Sequence, residues 1–262
     1  MAAYEHLRRI DEGAVVTLEL ARPDSHNALN PELIREITRC MGEVSAEEGV
    51  RVVVLTGEGR SFCAGADIGY MRDTAEFSYE ENVEDARALA AMFESVERCP
   101  KPVVARVQGA AIGGGVGLVA AADVVVAAER ARFAFSEVRL GISPATIAPF
   151  VVRKIGLSHA RALFLTGERF GAVRAREVGL VHEVVPEEDL DAAVGEKVVA
   201  LLAGGPAAQA ATKEVLREIE GAAPDELAGL MAQRIAGLRT GGEGQEGLGA
   251  SLEKREPRWR EG

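Results

Sequence analysis

Apolar positions along this chain change their spacing from segment to segment, and each change predicts an element. AVVTLEL, inside Ala14–Ala21, alternates apolar and polar residues. With Tyr4–Ile10 it predicts two strands around a turn at Asp11–Gly13. RPDSHNALN, Arg22 to Asn30, reads as a loop. Asn30 followed by Pro31 marks a helix start, and Leu33, Ile37, Cys40, Met41 and Val44 then share one helical face. Val50–Thr56 is almost continuously apolar, as a strand buried on both faces requires. GEGRSFCAGADIGYM predicts a long loop, and Glu80–Arg98 a helix closed by Cys99-Pro100. Pro102–Val107, Asp123–Ala128 and Phe133–Phe135 read as further strands. From Pro144 onward the pattern is mostly helical, broken at Gly204-Gly205-Pro206 and at Gly241-Gly242. Strand–strand–helix units therefore recur, which predicts an α/β core over residues 1–200 and a helical region over 201–262.

Between two of those strands lies QGAAIGGGVGLVAAAD, Gln108 to Asp123. Glycine inside a helix costs about 1 kcal/mol relative to alanine. Gly113, Gly114 and Gly115 at a helix entrance therefore require a reason. One reason is tight packing in a core. The other is a helix N-terminus whose free N–H groups meet an anionic oxygen at close range.

Charge and composition narrow the function. The net charge of -11 argues against a nucleic-acid partner, because phosphate contacts need a basic face. With 47% hydrophobic and 27% charged residues, the 262-residue chain reads as globular, with no membrane segment. Cys40, Cys63 and Cys99 form no CxxC pair, and no apolar signal core opens the chain. Both points lead to the expectation of a reducing, cytoplasmic location. HExxH, zinc spacing, GxxxxGK[ST], GxGxxG and GxSxG are all missing, so no metal site is expected. What remains is two loops of small residues, SFCAGAD (Ser61–Asp67) and AIGGGVG (Ala111–Gly117), each following a buried strand. If they converge, one N–H from each makes a two-donor oxyanion hole.

These segments carry a family resemblance. RPDSHNALN, SFCAGADI, QGAAIGGGVGLVAAADVVVAA, FSEVRLGISPA, GLVHEVVP and SLEKREPRW together resemble the crotonase superfamily, the enoyl-CoA hydratases and isomerases. The resemblance implies a spiral of ββα units with C-terminal helices that build a trimer, or a dimer of trimers. It implies an acyl-CoA substrate and no separate cofactor. By position, Ala66 and Gly114 correspond to the oxyanion donors, and Ala66, Asp67, Ile68 and Gly69 to the CoA-lining segment. His26 and Ala28 lie in the segment bordering CoA, and Lys254 matches a lysine that reaches CoA phosphates from a neighbouring subunit. Hydratases of the family carry two glutamates. Glu137 stands at the second position, whereas Gly117 occupies the first.

Three functions follow as expectations. The first is a hydratase adding water across an α,β double bond. The local wording is similar to hydratases of branched glutaconyl-CoA esters, including 3-methylglutaconyl-CoA of leucine breakdown. The second is an isomerase with Glu137 as its single base. The third is a non-catalytic relative that binds acyl-CoA or RNA.

Overall fold

The computed structural model describes residues 4–221 and 223–260. Its main sheet has six strands in the order β1 (Leu7–Glu12), β2 (Val15–Leu20), β3 (Val52–Gly57), β4 (Val103–Val107), β6 (Val124–Ala128), β9 (Glu183–Val185). β1 and β2 form an antiparallel hairpin, and every later pairing in this sheet is parallel. A second sheet orders β5 (Ala110–Ile112), β7 (Arg132–Ala134) and β8 (Arg169–Gly171). Parallel neighbours need a crossover. Helices α1 (Pro31–Ala46), α2 (Ile68–Glu76), α3 (Tyr79–Glu97) and α4 (Gly114–Ala121) supply it. Residues beyond β7 add α5 (Ala148–Thr166), α6 (Ala172–Glu177), α7 (Leu190–Leu202), α8 (Pro206–Gly221), α9 (Pro224–Thr240) and α10 (Gly242–Glu253).

The continuous apolar run of β3 is buried along its whole length. Alternation divides it: Val53 and Leu55 enter the large core with α1, α3 and α4, while Val52 and Val54 join a smaller cluster with Leu190 and Val194 of α7. Asn30 caps α1, its side chain accepting from the Leu33 amide at 2.9 Å. A capping box of Ser78 and Glu81 starts α3 one residue ahead of the expected Glu80.

Four sequence expectations need correction. The hairpin turn is Gly13-Ala14, because Gly13 takes φ +61° and Glu12 still pairs with Val15. The first strand therefore runs from Leu7 to Glu12. The long loop after β3 ends at Asp67, whose side chain caps α2. The region after Pro144 contains β8 and β9, and β9 closes one edge of the main sheet. Both are three-residue strands with half-buried or mixed faces, too short for a periodic signal.

Candidate active site

The two small-residue loops do converge, and they meet backbone to backbone. Cys63 donates its amide to Ala110 O at 2.9 Å, and Ile112 donates back to Cys63 O at 3.0 Å. A Cβ on Gly115 would lie 2.2 Å from Cys63 O, and one on Gly65 would lie 3.0 Å from Ile112 O. Glycine is thus required at 115 by contact with the neighbouring loop. A third segment joins them: Leu29 donates to Gly65 O at 2.7 Å, and Asp67 donates to Leu29 O at 2.9 Å. That pairing uses the residues on both sides of Ala66 and leaves the Ala66 amide without a backbone acceptor among the described residues. Gly114 opens α4, so its amide has no carbonyl one turn earlier to reach. Both residues line one cavity of about 430 Å³.

Buried amides brace the loops behind this cavity. Asn27 donates to Glu58 O and Ser61 O, both at 2.9 Å, and accepts from the Arg22 amide at 2.9 Å. Gln108 donates to Gly57 O, Gly59 O and Ser61 O. Sequence reasoning placed the Asn27 segment at a ligand border and missed that its asparagine is a wholly buried tie.

Glu137 stands on the same cavity, in a short 3-10 turn over Glu137–Leu140 that follows β7. Its Oε1 approaches Gly113: a methyl group placed there would sit 3.2 Å away. Gly113 also takes φ +51°, a conformation that favours glycine. Glu137 Oε2 is buried with no hydrogen-bond partner among the described residues. Burial raises the carboxyl above its ordinary range, since desolvation disfavours the charged form. An unpaired, desolvated carboxylate beside two free amides can move a proton while the amides hold a developing negative oxygen.

The position of the other family glutamate is filled. A Cβ on Gly117 would lie 2.5 Å from Ile147 Cγ2 and 2.7 Å from Phe93 Cε1. Ile147 is buried and borders the cavity, so apolar packing stands where a second carboxylate would enter.

The remaining sequence candidates divide. Asp67 caps α2 through the Gly69 amide at 2.8 Å and pairs with Arg22 at 3.0 Å. Burial alone would raise its pKa, but Arg22 and the amides of Gly69 and Tyr70 outweigh that and hold it below the usual carboxylate range. Ile68 and Gly69 are exposed in the first turn of α2. His26 Nδ1 lies 3.0 Å from Ser61 Oγ, and Arg60 approaches its Nε2 at 3.0 Å. Ala28 is buried, its carbonyl bonded to the Arg22 guanidinium. Asp67, Ile68, Gly69, His26 and Ala28 therefore do not line the cavity itself. Lys254 is exposed at the end of α10 and is not brought to the cavity by its own chain. Cys63 is fully buried, and burial pushes its thiol up to about 12, so it is no nucleophile. Sequence reasoning missed Asp85 on the cavity, whose Oδ1 accepts from the Tyr70 hydroxyl.

Comparison with known proteins agrees with this geometry. The sequence model of the enoyl-CoA hydratase/isomerase family matches residues 11–262. The 2,3-dehydroadipyl-CoA hydratase of Escherichia coli K12 is 34% identical over 247 residues, covering 93% of this chain and 94% of that protein. The crystal structure of an enoyl-CoA hydratase from Shewanella pealeana superposes with a TM-score of 0.95 at 38% identity, over 98% of this chain and 96% of that one. Pseudomonas aeruginosa AtuE superposes with a TM-score of 0.94 at 37% identity, over 98% of this chain and 100% of that one. The α/β fold is the crotonase fold, and the chain is an enzyme of the enoyl-CoA hydratase/isomerase family.

Proposed function

We propose that this enzyme adds water across the α,β double bond of an enoyl-CoA thioester, with Glu137 as the acid–base group and the Ala66 and Gly114 amides as the oxyanion hole. The observation that carries the reading is the unpaired Glu137 carboxylate beside two unengaged amides in one cavity. Ionised Glu137 takes a proton from water as the water oxygen bonds to the β-carbon. The electron pair of the double bond moves onto the thioester oxygen, where the two amides stabilise it. Glu137 then gives the proton to the α-carbon as the thioester carbonyl re-forms. Water has been added and the carboxylate restored, with no cofactor beyond the CoA of the substrate.

The packing of Ile147 and Phe93 against Gly117 supports a second reading. One carboxylate suffices for an isomerase, in which Glu137 removes a proton from C2 of a 3-enoyl ester and returns it to C4. Crotonyl-CoA, 3-methylglutaconyl-CoA and a 3-enoyl-CoA, each assayed in both directions, separate the two. The expected result is loss of the conjugated thioester absorbance with crotonyl-CoA. Conversion of the 3-enoyl ester alone would establish the isomerase instead, and no turnover of any ester would leave a CoA-ester binder. The branched glutaconyl ester suggested by the sequence belongs to the finer part of this reading. It is the one panel member whose acyl chain ends in a carboxylate.

The assembly is proposed to be a trimer or a dimer of trimers, with Lys254 reaching CoA phosphates in a neighbouring copy. Exposed Leu216 and Ile219 on α8, Ile235 on α9, and Leu248 and Leu252 on α10 support an interface along the C-terminal helices. Sedimentation should give a trimer or hexamer, and a monomer at micromolar concentration would reject this.

A further inference from the structure

The cavity has a polar side that the proposed reaction does not use. Tyr70 and Thr74 of α2 and Asn82 and Asp85 of α3 form it, and Leu140, Ile142 and Ile147 also line the cavity. The donors on this polar side are already engaged. The Tyr70 hydroxyl gives its one proton to Asp85 Oδ1. Thr74 Oγ1 donates to Met71 O at 3.1 Å. Asn82 Nδ2 donates to Phe77 O and to Ser78 O, both at 3.1 Å. Among the described residues no lysine, arginine or histidine lines the cavity, and its two ionisable carboxyls are Asp85 and Glu137.

We infer that Asp85, held by Tyr70, is a specificity-determining residue that admits neutral acyl chains and turns away acyl chains ending in a carboxylate. The inference rests on this cavity being the acyl site of the function proposed above. A distal carboxylate entering here would meet no cation and no free donor on the α2–α3 side, with Asp85 on the same lining. A like charge repels it, and no opposite charge on the lining offsets that repulsion. A neutral branched tail meets no such penalty and covers Met71, Leu89, Leu140 and Ile142 instead. Selection thus works by rejection, since the apolar contacts are open to either chain. Neutral enoyl esters are set ahead of the branched glutaconyl esters that the sequence suggested.

Saturated thioesters test this by binding alone. Glutaryl-CoA and 5-methylhexanoyl-CoA have the same chain length, with an isopropyl group replacing the carboxylate in the second. Titration calorimetry on the wild-type protein should show the neutral ester binding about 100-fold more tightly, the scale of a like-charge clash at an interface. Asp85→Asn should narrow that gap to about tenfold, and Asp85→Ser serves the same purpose if the asparagine variant does not fold. Tyr70→Phe keeps the charge and should keep the gap. Equal affinity for the two esters in the wild type, or a gap that Asp85→Asn and Asp85→Ser leave intact, would overturn the inference. Crotonyl-CoA turnover is read separately on the same preparations. A binding gap without turnover upholds the selectivity while defeating the proposed reaction, and turnover without a gap does the reverse.

Discussion

Glu137→Gln should lower kcat for enoyl-CoA hydration by about 10²–10⁴-fold, the range for a positioned carboxylate that moves a proton in the transition state. Glutamine keeps the shape of the side chain, so CoA-ester affinity should change little, and the loss should sit in kcat. Stability should move the other way. Burial raises the native pKa of Glu137, so the native state holds its proton more tightly than the unfolded chain does. Between the ordinary carboxylate range and that raised value, the group therefore subtracts stability as pH rises. Above the window the cost is fully present, and below it the cost is gone. Glu137→Gln should thus raise Tm at neutral pH, with the two proteins converging in acid. Single-turnover rates and a pH series of melting curves check both halves. Wild-type turnover in the folded variant would defeat the assignment of Glu137.

Gly114→Pro should cut kcat/KM by about 10²–10³-fold, the loss typical of one oxyanion donor. Proline has no N–H, and the first residue of a helix is where it disturbs the helix least. Gly114 is that first residue in α4. A Cβ there would lie 2.7 Å from Leu29 Cδ1, the far end of a side chain that can turn aside. The backbone seam behind it is made by other residues. CoA-ester affinity measured alongside separates a lost donor from a blocked site. Near-normal kcat in a folded Gly114→Pro protein with intact affinity would remove Gly114 from the hole.

The parts of the site that were legible in the sequence are those where chemistry restricts residue type. Gly113, Gly114 and Gly115 stood out because helices avoid glycine, and contact with Cys63 O and Glu137 explains two of the three. The β3 run was legible because both of its faces are buried. The α2 helix was not, because only Tyr70 of its nine residues is buried, so no apolar stripe marks it. The cap at Asp67 was its one local sign. Tyr70 and Asp85 lie fifteen residues apart on different helices, and no spacing rule joins them. The filling of the Gly117 position was equally invisible, since Ile147 comes from thirty residues further along the chain.

The seam between Cys63 and Ala111 has a consequence for how this enzyme can be altered. Its two free amides are placed by main-chain contacts, including one that allows no Cβ at Gly115. Side-chain substitution along 63–66 or 111–115 therefore offers few ways to tune the anion site and many ways to break it. Variation is open on the surrounding walls, where side chains alone decide the outcome: Glu137 for the proton, Ile147 against Gly117 for any second acid, and Asp85 for the acyl tail. A laboratory evolving this enzyme toward another thioester should randomise those walls and leave the seam untouched.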